Sequence, residues 1–229
     1  LLLTDWFVRF REREVPSIGW AVLLGAAGGI VLLIRPQNAV FILVPGVSLL
    51  LSTARSVKLG RPHEAVSWIA RGGLCLVTAA VAFTPQLFAW HEIYGSWTAV
   101  PYLSDHTPAF TWSHPHFLGV LASTHHGLFS WNPIYLFATV GLILLGRRDA
   151  RLALGLLVAV ALETYIVAAW WSWWQGASFG GRMFIDASWV WVMGLAALLD
   201  RLRTSGARKV ALGAATILVV WNGLSLIQY

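Results

Sequence analysis

Apolar stretches of membrane-spanning length follow one another along almost the whole chain. A helix needs about 20 residues to cross the hydrocarbon layer of a bilayer, which is roughly 30 Å thick. Seven stretches reach or approach that length, and they cover residues 18–34, 38–54, 68–90, 129–145, 152–171, 184–200 and 209–227. The sequence therefore predicts an all-α polytopic membrane protein with about seven transmembrane helices, in a single helical domain over residues 1–229.

The composition excludes a soluble domain and argues against nucleic acid as a partner. Hydrophobic residues make up 58% of the chain and charged residues only 11%, far from the balance of soluble proteins. The net charge is +6, but the basic residues lie in short loops, where they set membrane topology beside anionic lipid. We therefore expect membrane lipid as a partner. The lone Cys75 cannot form a disulfide within the chain.

A proline and a glycine interrupt the second apolar stretch at Pro45 and Gly46. Proline removes a backbone donor from a helix and crowds the preceding turn. Irregular backbone at membrane depth is tolerated where it is buried in protein or lines a cavity. The second stretch is therefore a candidate for a broken or re-entrant segment.

The lysines and arginines divide unevenly between the two sides that this topology defines. Cytoplasmic loops of membrane proteins carry an excess of both residues. If the seven stretches alternate in direction, 14 of the 16 basic residues fall on one side, and only Arg35 and Arg182 fall on the other. The pattern predicts that residues 91–128 and 172–183 lie on the outer side of the membrane.

The longest connection, residues 91–128, is rich in histidine and contains no lysine or arginine. Its second half, residues 117–129, is apolar with a short polar interruption, which is typical of a helix that lies in the membrane interface. None of its histidine pairs has the spacing of a recognised metal site. We expect no metal and no cofactor. Interfacial hydrogen bonding and contact of one histidine, such as His126, with sugar or phosphate remain as alternatives.

Residues 170–182 concentrate side chains that favour a lipid-level site for an anionic group. Tryptophan prefers the headgroup layer, glycine lets backbone approach a ligand closely, and arginine is a forked donor suited to phosphate. Trp173 and Trp174 lie beyond the apolar stretch, where they could stack on a sugar or a prenyl chain. The segment reads Trp170-Trp171-Ser172-Trp173-Trp174-Gln175-Gly176-Ala177-Ser178-Phe179-Gly180-Gly181-Arg182.

Arg35 and Arg182 do not serve the orientation signal, so each needs another reason to lie on the outer side. A phosphate partner is one such reason. For Arg35 the alternative is a helix-end arginine that snorkels to the interface. Asp186 follows Arg182 by four residues, so on an α-helix the two side chains share a face and can pair. Asp186 would then orient Arg182 rather than act on a substrate.

Carboxylates are few on the predicted outer side. A group-transfer enzyme that acts there needs a base for the proton of the acceptor hydroxyl. Glu92 and Asp105 are the loop candidates, and the alternative for both is a solvated loop acid. Glu163 lies inside the fifth stretch, where an ionised carboxylate is costly unless it is paired or faces a water-filled cavity. It is either functional or satisfied by a neighbouring helix.

Two sets of residues carry a family resemblance. One begins with Gly127-Leu128-Phe129-Ser130-Trp131-Asn132-Pro133 and continues through an apolar helix, a basic turn and another apolar helix to residues 170–182. The other runs from Gly28-Gly29 to Arg35-Pro36. The likeness extends over most of the chain, from Gly28 to Arg182. They resemble bacterial membrane glycosyltransferases of the GT-C superfamily, among them the relatives of protein mannosyltransferases and of lipid A aminoarabinose transferases.

This resemblance implies an all-helical enzyme of the bacterial cytoplasmic membrane. Such an enzyme takes a sugar from a polyprenyl-phosphate carrier and passes it to an acceptor at the outer face. By matching position, Arg182 would contact the carrier phosphate, with Arg35 as a second candidate. Gly176, Gly180 and Gly181 would keep the loop compact.

The chain departs from the family at its catalytic acid. The family places that acid in the first external loop, and none of Glu92, Asp105 or Asp186 matches the position. The chain also begins at Leu1 without an initiator methionine. We therefore expect it to be the carrier-binding C-terminal portion of a longer enzyme, with the catalytic base supplied from elsewhere.

Two other functions remain open at this point. A transporter or flippase half would use Glu163 and a broken second stretch to gate a pathway for a lipid-linked or small polar substrate. A non-catalytic scaffold would bind lipid. In that case, conservative substitutions would have no effect outside the tryptophans and other aromatic residues at the membrane interfaces.

Overall fold

A computed structural model of the chain describes residues 15–98, 110–177, 179–202 and 205–228. These residues fold into helices joined by short connections, and none of them belongs to a β-strand. The all-α prediction is confirmed for this part of the chain. Two compact units divide the sequence, Leu1–Asp105 and His106–Tyr229.

The first unit contains three long helices and a 3₁₀ turn in its described residues. Helix α1 covers Ile18–Ile34, the 3₁₀ helix Pro36–Asn38 follows, α2 covers Ala39–Lys58 and α3 covers Pro62–Tyr94. Ser17 caps α1, because its hydroxyl oxygen accepts a hydrogen bond from the Trp20 N–H at 3.3 Å. Helix α3 starts at a proline, whose missing N–H costs nothing there, and ends at Gly95, whose φ is 66°.

The second helix runs through Pro45 without a break, from Ala39 to Lys58. The expectation of a broken or re-entrant segment is therefore wrong. Proline removes one backbone hydrogen-bond donor, and small local adjustments of a membrane helix can give the freed carbonyl another partner. Gly46 lies in open space with no heavy atom near its missing Cβ, so no packed partner forces a kink.

Close backbone packing joins α1 to α3. At Gly25 a Cβ atom would overlap the Thr78 hydroxyl and the Cys75 backbone, and at Gly29 it would overlap the Ala79 carbonyl. Small residues at such positions let membrane helices approach closely enough for van der Waals contact between backbones. The thiol of Cys75 donates to the Ala21 carbonyl oxygen at 3.1 Å across the same interface. The α1–α3 pair is therefore built on small side chains.

The second unit is assembled from helices of very different length. Its α-helices are α4 (Phe117–Ala122), α5 (Leu128–Trp131), α6 (Ile134–Leu145), α7 (Ala150–Ala169), α8 (Ser188–Arg201) and α9 (Ser205–Gln228), and a 3₁₀ helix covers Arg182–Ala187. Asp149 caps α7 by accepting a hydrogen bond from the Leu152 N–H at 3.2 Å. The basic turn at Arg147 and Arg148 separates α6 from α7.

Several helices in the described residues identify an integral membrane protein by their length and apolar composition. Two apolar helices are shorter, Ile18–Ile34 and Ile134–Leu145, so the predicted count of seven spans is not confirmed. The predicted stretch at 129–145 is split because Asn132 and Pro133 separate α5 from α6. The five helices long enough to cross a membrane are Pro36–Lys58, Pro62–Tyr94, Ala150–Ala169, Arg182–Arg201 and Gly206–Ile227.

The predicted interfacial helix over residues 117–129 is also interrupted. Its first part is the six-residue α4, and the second part begins only at Leu128. Between them, His126 takes a φ of 67°, a left-handed conformation that an α-helix cannot contain. The apolar pattern was read correctly as helical, but the polar interruption is a turn.

We predict that leucine at Gly25 destabilises the first unit, because the added side chain must push α1 away from α3. Overpacking of this kind costs about 1–3 kcal/mol. Gly19 is the matched control on the same helix, since a Cβ there meets nothing within 4 Å. Thermal unfolding of the detergent-solubilised variants measures both effects. An equal loss of stability for Gly25→Leu and Gly19→Leu would contradict the packing described here.

Candidate functional site

The candidate site is the tryptophan–glycine loop, residues 170–182, which joins α7 to the 3₁₀ helix Arg182–Ala187. Its backbone turns sharply at Gln175, Gly176 and Gly181, whose φ values are 67°, 70° and 68°. Two of these three positions are glycines, which adopt positive φ without strain. The third, Gln175, holds that conformation through its side chain.

Gln175 is fully buried and fixes the end of the loop. Its Oε1 accepts a hydrogen bond from the Met183 backbone N–H at 2.9 Å. The first N–H groups of a helix have no partner inside the helix, so this bond satisfies one of them. The sequence analysis missed Gln175. The signal was the single amide side chain of the loop, placed directly between the second tryptophan pair and Gly176.

Arg182 is exposed at the first position of the 3₁₀ helix. Its guanidinium lies over the turn at Gly176, because a Cβ on that glycine would be 3.5 Å from Nη2. In the 3₁₀ helix, buried residues recur every third position at Gly181, Phe184 and Ala187, as three residues per turn requires. The same period places Ile185, which is 63% exposed, on the face of Arg182.

Gly180 and Gly181 are packed against α5. A Cβ on Gly180 would overlap the Trp131 side chain, and a Cβ on Gly181 would lie 3.2 Å from Leu128 Cδ1. Both residues therefore lack room for a side chain. The loop follows the surface of α5 closely.

His126 reaches the same loop from the turn between α4 and α5. Its Nδ1 lies 3.3 Å from the Trp174 carbonyl oxygen. Because a carbonyl only accepts, Nδ1 donates, and Nε2 keeps the lone pair of the neutral ring. Burial, then the neighbouring His125, then Arg182 lower the pKa of His126 from its ordinary value of 6.5. This lowered pKa keeps His126 neutral near pH 7. His126 and Arg182 both lie against the loop, at Trp174 and at Gly176.

The tryptophans of the loop form an aromatic layer. Trp173 covers Gly119 of α4 and stacks on His116 at a ring distance of 5.4 Å. Trp174 meets Trp171 and Trp173 edge to face at 5.7 and 5.9 Å. Trp173 and Trp174 are half-buried, so their rings serve first as packing for the loop. Trp171 is 38% exposed and presents apolar surface beside it.

The chain ahead of α4 docks on the end of α7. The Thr111 N–H donates to the Ala169 carbonyl oxygen at 2.6 Å, and the His116 N–H donates to the Ala168 carbonyl oxygen at 2.8 Å. The Tyr165 hydroxyl donates to the Trp112 carbonyl oxygen at 2.8 Å. The first two bonds satisfy carbonyls at the end of α7, which the helix itself leaves unpaired, and all three hold the histidine-rich segment beside the loop.

Two asparagines tie α9 to the loop. The Asn222 side-chain amide donates to the Asn132 Oδ1 at 2.7 Å and to the Trp131 carbonyl oxygen at 2.9 Å. Asn132 in turn donates to the Gly180 carbonyl oxygen at 3.1 Å. Asn222 was not predicted as a contact residue. An amide inside an apolar stretch of membrane length is nevertheless typical of a side chain that forms a hydrogen bond to another helix.

Asp186 lies in the 3₁₀ helix rather than in an α-helix, and it is half-buried. Residues four apart in a 3₁₀ helix are rotated by about 120° from one another, because the helix has three residues per turn. The shared face expected from α-helical spacing is therefore absent. The orienting role of Asp186 toward Arg182 stays a prediction.

The other predicted site residues lie outside the loop. Glu163 is fully buried in α7. Glu92 lies in the last turn of α3 and is exposed, so it is a helical residue rather than a loop residue. Arg35 is the half-buried C-cap of α1. Both belong to the first unit, and Asp105 lies outside the described residues.

The described residues contain no group of three or more histidine, cysteine or acidic side chains that could hold a metal ion. His125 and His126 stack on each other with ring centroids 5.0 Å apart. Their ring planes are tilted by 24° from each other. The arrangement of Arg182 and His126 suits an anion.

Comparison of the chain with protein-family models, with curated protein sequences and with solved structures gives no match. The likeness of residues 127–133 and 170–182 to the GT-C superfamily therefore stays an expectation. What the site can do follows from its own geometry, in which an exposed cation stands on a rigid loop.

We predict that Asn132 and Asn222 act as one unit. Their hydrogen bond joins α9 to the turn after α5, and a hydrogen bond between helices of a membrane protein contributes about 0.6 kcal/mol on average and about 1.7 at most. Replacing either residue with leucine removes the bond, so Asn132→Leu and Asn222→Leu together should cost less than the sum of the single variants. Ser225→Ala is the control, because the Ser225 hydroxyl bonds only to the Trp221 carbonyl of its own helix. Additive losses in thermal unfolding would show that the two residues act independently.

We predict that acid destabilises the second unit through His126. Since folding lowers the pKa of His126, the unfolded chain holds more protons below pH 6.5, and stability falls as pH falls. The midpoint of thermal unfolding should drop between about pH 7.5 and about pH 5.5, and His126→Gln should flatten that dependence. His114→Gln, at an exposed position, should keep the wild-type slope. An unchanged slope in His126→Gln would rule out this residue as the source.

Proposed function

We propose that the tryptophan–glycine loop binds the phosphate of a polyprenyl-phosphate sugar donor and that the chain takes part in sugar transfer at the outer face of a bacterial cytoplasmic membrane. The observation that carries the proposal is the exposed side chain of Arg182, which shares a face of the 3₁₀ helix with the exposed Ile185 and follows a loop that also exposes Trp171. A ligand that satisfies both has an anionic head and an apolar tail. A polyprenyl phosphate has this chemistry.

A bound phosphate would make two polar contacts in this proposal. The guanidinium of Arg182 is a forked donor that matches two phosphate oxygens at once. His126 lies close enough for the charge of Arg182 to affect its pKa. An anion beside the ring reverses that effect and favours its protonated form. Binding of the phosphate therefore favours uptake of a proton by His126.

The charge of the carrier changes during transfer, which gives Arg182 its role. The acceptor hydroxyl oxygen forms a bond to the anomeric carbon while the bond from that carbon to the phosphate oxygen breaks. The leaving phosphate keeps the electron pair and gains a negative charge, and a base takes the hydroxyl proton. A cation already positioned at the phosphate stabilises the transition state more than it stabilises the bound sugar donor. The proposal assigns the base to none of the loop residues.

The structure disagrees with one of the two observations on which the transporter interpretation depends. Its gate required a broken second stretch, and α2 is a continuous helix from Ala39 to Lys58. Its other support, Glu163, is fully buried. The loop around Arg182 therefore favours carrier binding over transport.

We predict that Arg182→Ala weakens binding of a polyprenyl phosphate by about 10-fold to 100-fold, since a hydrogen bond to a charged group is worth about 1.5–3 kcal/mol. The affinity of Arg182→Lys should lie between those of Arg182→Ala and wild type, because lysine keeps the positive charge but lacks the forked pair of donors. Arg151→Ala is the matched control, an exposed arginine at the start of α7. Binding is measured with the purified protein and a fluorescent polyprenyl phosphate. Equal affinity of Arg182→Ala and wild type would overturn the proposal.

Sugar transfer provides the second readout, in membranes that contain the protein. Loss of transfer in Arg182→Ala, with Arg151→Ala unaffected, is the expected result. If Arg182→Ala retained transfer while Glu163→Gln abolished a proton-coupled flux, the function would be transport instead.

A further inference from the structure

A cavity of about 280 Å³ lies between the C-terminal ends of α6 and α8. Its walls are formed by Leu144 and Leu145 of α6 and by Met193, Ala196 and Ala197 of α8. Ligand pockets usually have volumes of about 300–1,000 Å³, so this cavity lies at the small end. A space of this size suits a slender apolar group such as part of an acyl chain, and it is too small for a helix of a partner protein.

Helix packing explains why the cavity exists. Gly141 and Gly194 bring the backbones of α6 and α8 into direct contact, since a Cβ on either would overlap the other helix. Beyond this crossing, α8 carries Ala196 and Ala197, whose methyl groups do not fill the space opposite the α6 leucines. The cavity therefore forms because the glycines bring the two helices together and the alanines that follow on α8 are too small to fill the space beyond.

Charged side chains stand at the mouth of this cavity. Arg148, in the turn after α6, forms an ion pair with Asp200 of α8, and both side chains are more than half exposed. Arg201 lines the cavity as well, and the pairing of Arg148 with Asp200 leaves its charge uncompensated within the lining. The mouth is therefore positive, and the wall behind it is apolar.

This site differs from the tryptophan–glycine loop in position. The loop leads into the start of the 3₁₀ helix and α8, whereas the cavity lies at the C-terminal end of α8. The 14 residues of Ser188–Arg201 separate the two ends by about 20 Å at 1.5 Å per residue. The basic residues at this end are those that the charge pattern assigns to the cytoplasmic side.

We propose that the cavity binds one anionic phospholipid, with an acyl chain against the leucine and alanine wall and the headgroup phosphate on Arg201 and Arg148. A soluble anion would leave the apolar wall unused. A zwitterionic lipid would gain less from the positive mouth, because its own cation offsets its phosphate. The charge at the mouth therefore selects for a net negative headgroup.

The test uses the purified full chain, phosphatidylglycerol and phosphatidylcholine with identical acyl chains, and native mass spectrometry. Wild type should retain one phosphatidylglycerol in preference to phosphatidylcholine. Arg201→Gln should reduce that preference about five-fold, the effect of one basic residue beside an anionic headgroup. Ala197→Leu should reduce retention of both lipids because it fills the cavity. Arg201→Lys should keep the preference, which separates loss of charge from loss of fold.

Arg208→Gln provides the control for diffuse charge, since Arg208 is an exposed basic residue of α9 that does not line the cavity. It should leave the preference unchanged. The proposal is overturned if wild type shows no preference for phosphatidylglycerol, if Arg208→Gln lowers the preference as much as Arg201→Gln, or if Ala197→Leu retains the lipid.

Discussion

The core of a bilayer offers no water to the peptide backbone, so every N–H and C=O group at that depth needs a partner within the protein. Helices meet this requirement by themselves, and they make up most of the described chain. Where the second unit leaves helical geometry, side-chain amides supply the missing bonds. Gln175 accepts from the Met183 N–H, Asn132 donates to the Gly180 carbonyl, and Asn222 donates to the Trp131 carbonyl.

The hydrogen bonds of these amides matter for the proposed function because they hold the loop in one conformation. A charge that stabilises a transition state works best when it is already in place before the reaction. Arg182 lies at the first position of a 3₁₀ helix whose start is held by Gln175, over the turn at Gly176, whose φ of 70° favours glycine. The proposed binding of a carrier phosphate requires little rearrangement of this support.

The second unit combines a cation with apolar surface at both ends of the segment that contains α8. At one end, Arg182 shares an exposed face with Ile185. At the other, Arg201 stands at the mouth of an apolar cavity. The same combination of chemistry suits two amphiphiles in different positions, a polyprenyl phosphate in the loop and a phospholipid in the cavity.

Much of the helical architecture could be predicted from the sequence, because apolar stretches of membrane length carry their own signal. The ends of α1, α7 and α9 fall within a few residues of the predicted stretches. The short α6, the interruption at His126 and the 3₁₀ helix after Gly181 were not predicted. Each depends on contacts between distant positions, such as Trp131 against Gly180, which hydrophobic periodicity does not contain.

The candidate site was predicted in part for a related reason. Composition and the predicted membrane topology singled out Arg182, and His126 was also a predicted phosphate contact; only the contact of His126 with the Trp174 carbonyl came from the fold. Gln175 and Asn222 were missed because their importance lies in the backbone groups they satisfy. Amide side chains near a membrane loop are therefore worth testing as structural partners before they are tested as ligands.

A cryo-electron-microscopy structure of the protein with bound polyprenyl phosphate tests the proposed role of the loop most directly. We predict a phosphate within hydrogen-bonding distance of the Arg182 guanidinium, with the prenyl chain leaving along Ile185 and Trp171. A phosphate bound at Arg35 or at Arg201, with Arg182 making no contact to the lipid, would contradict it.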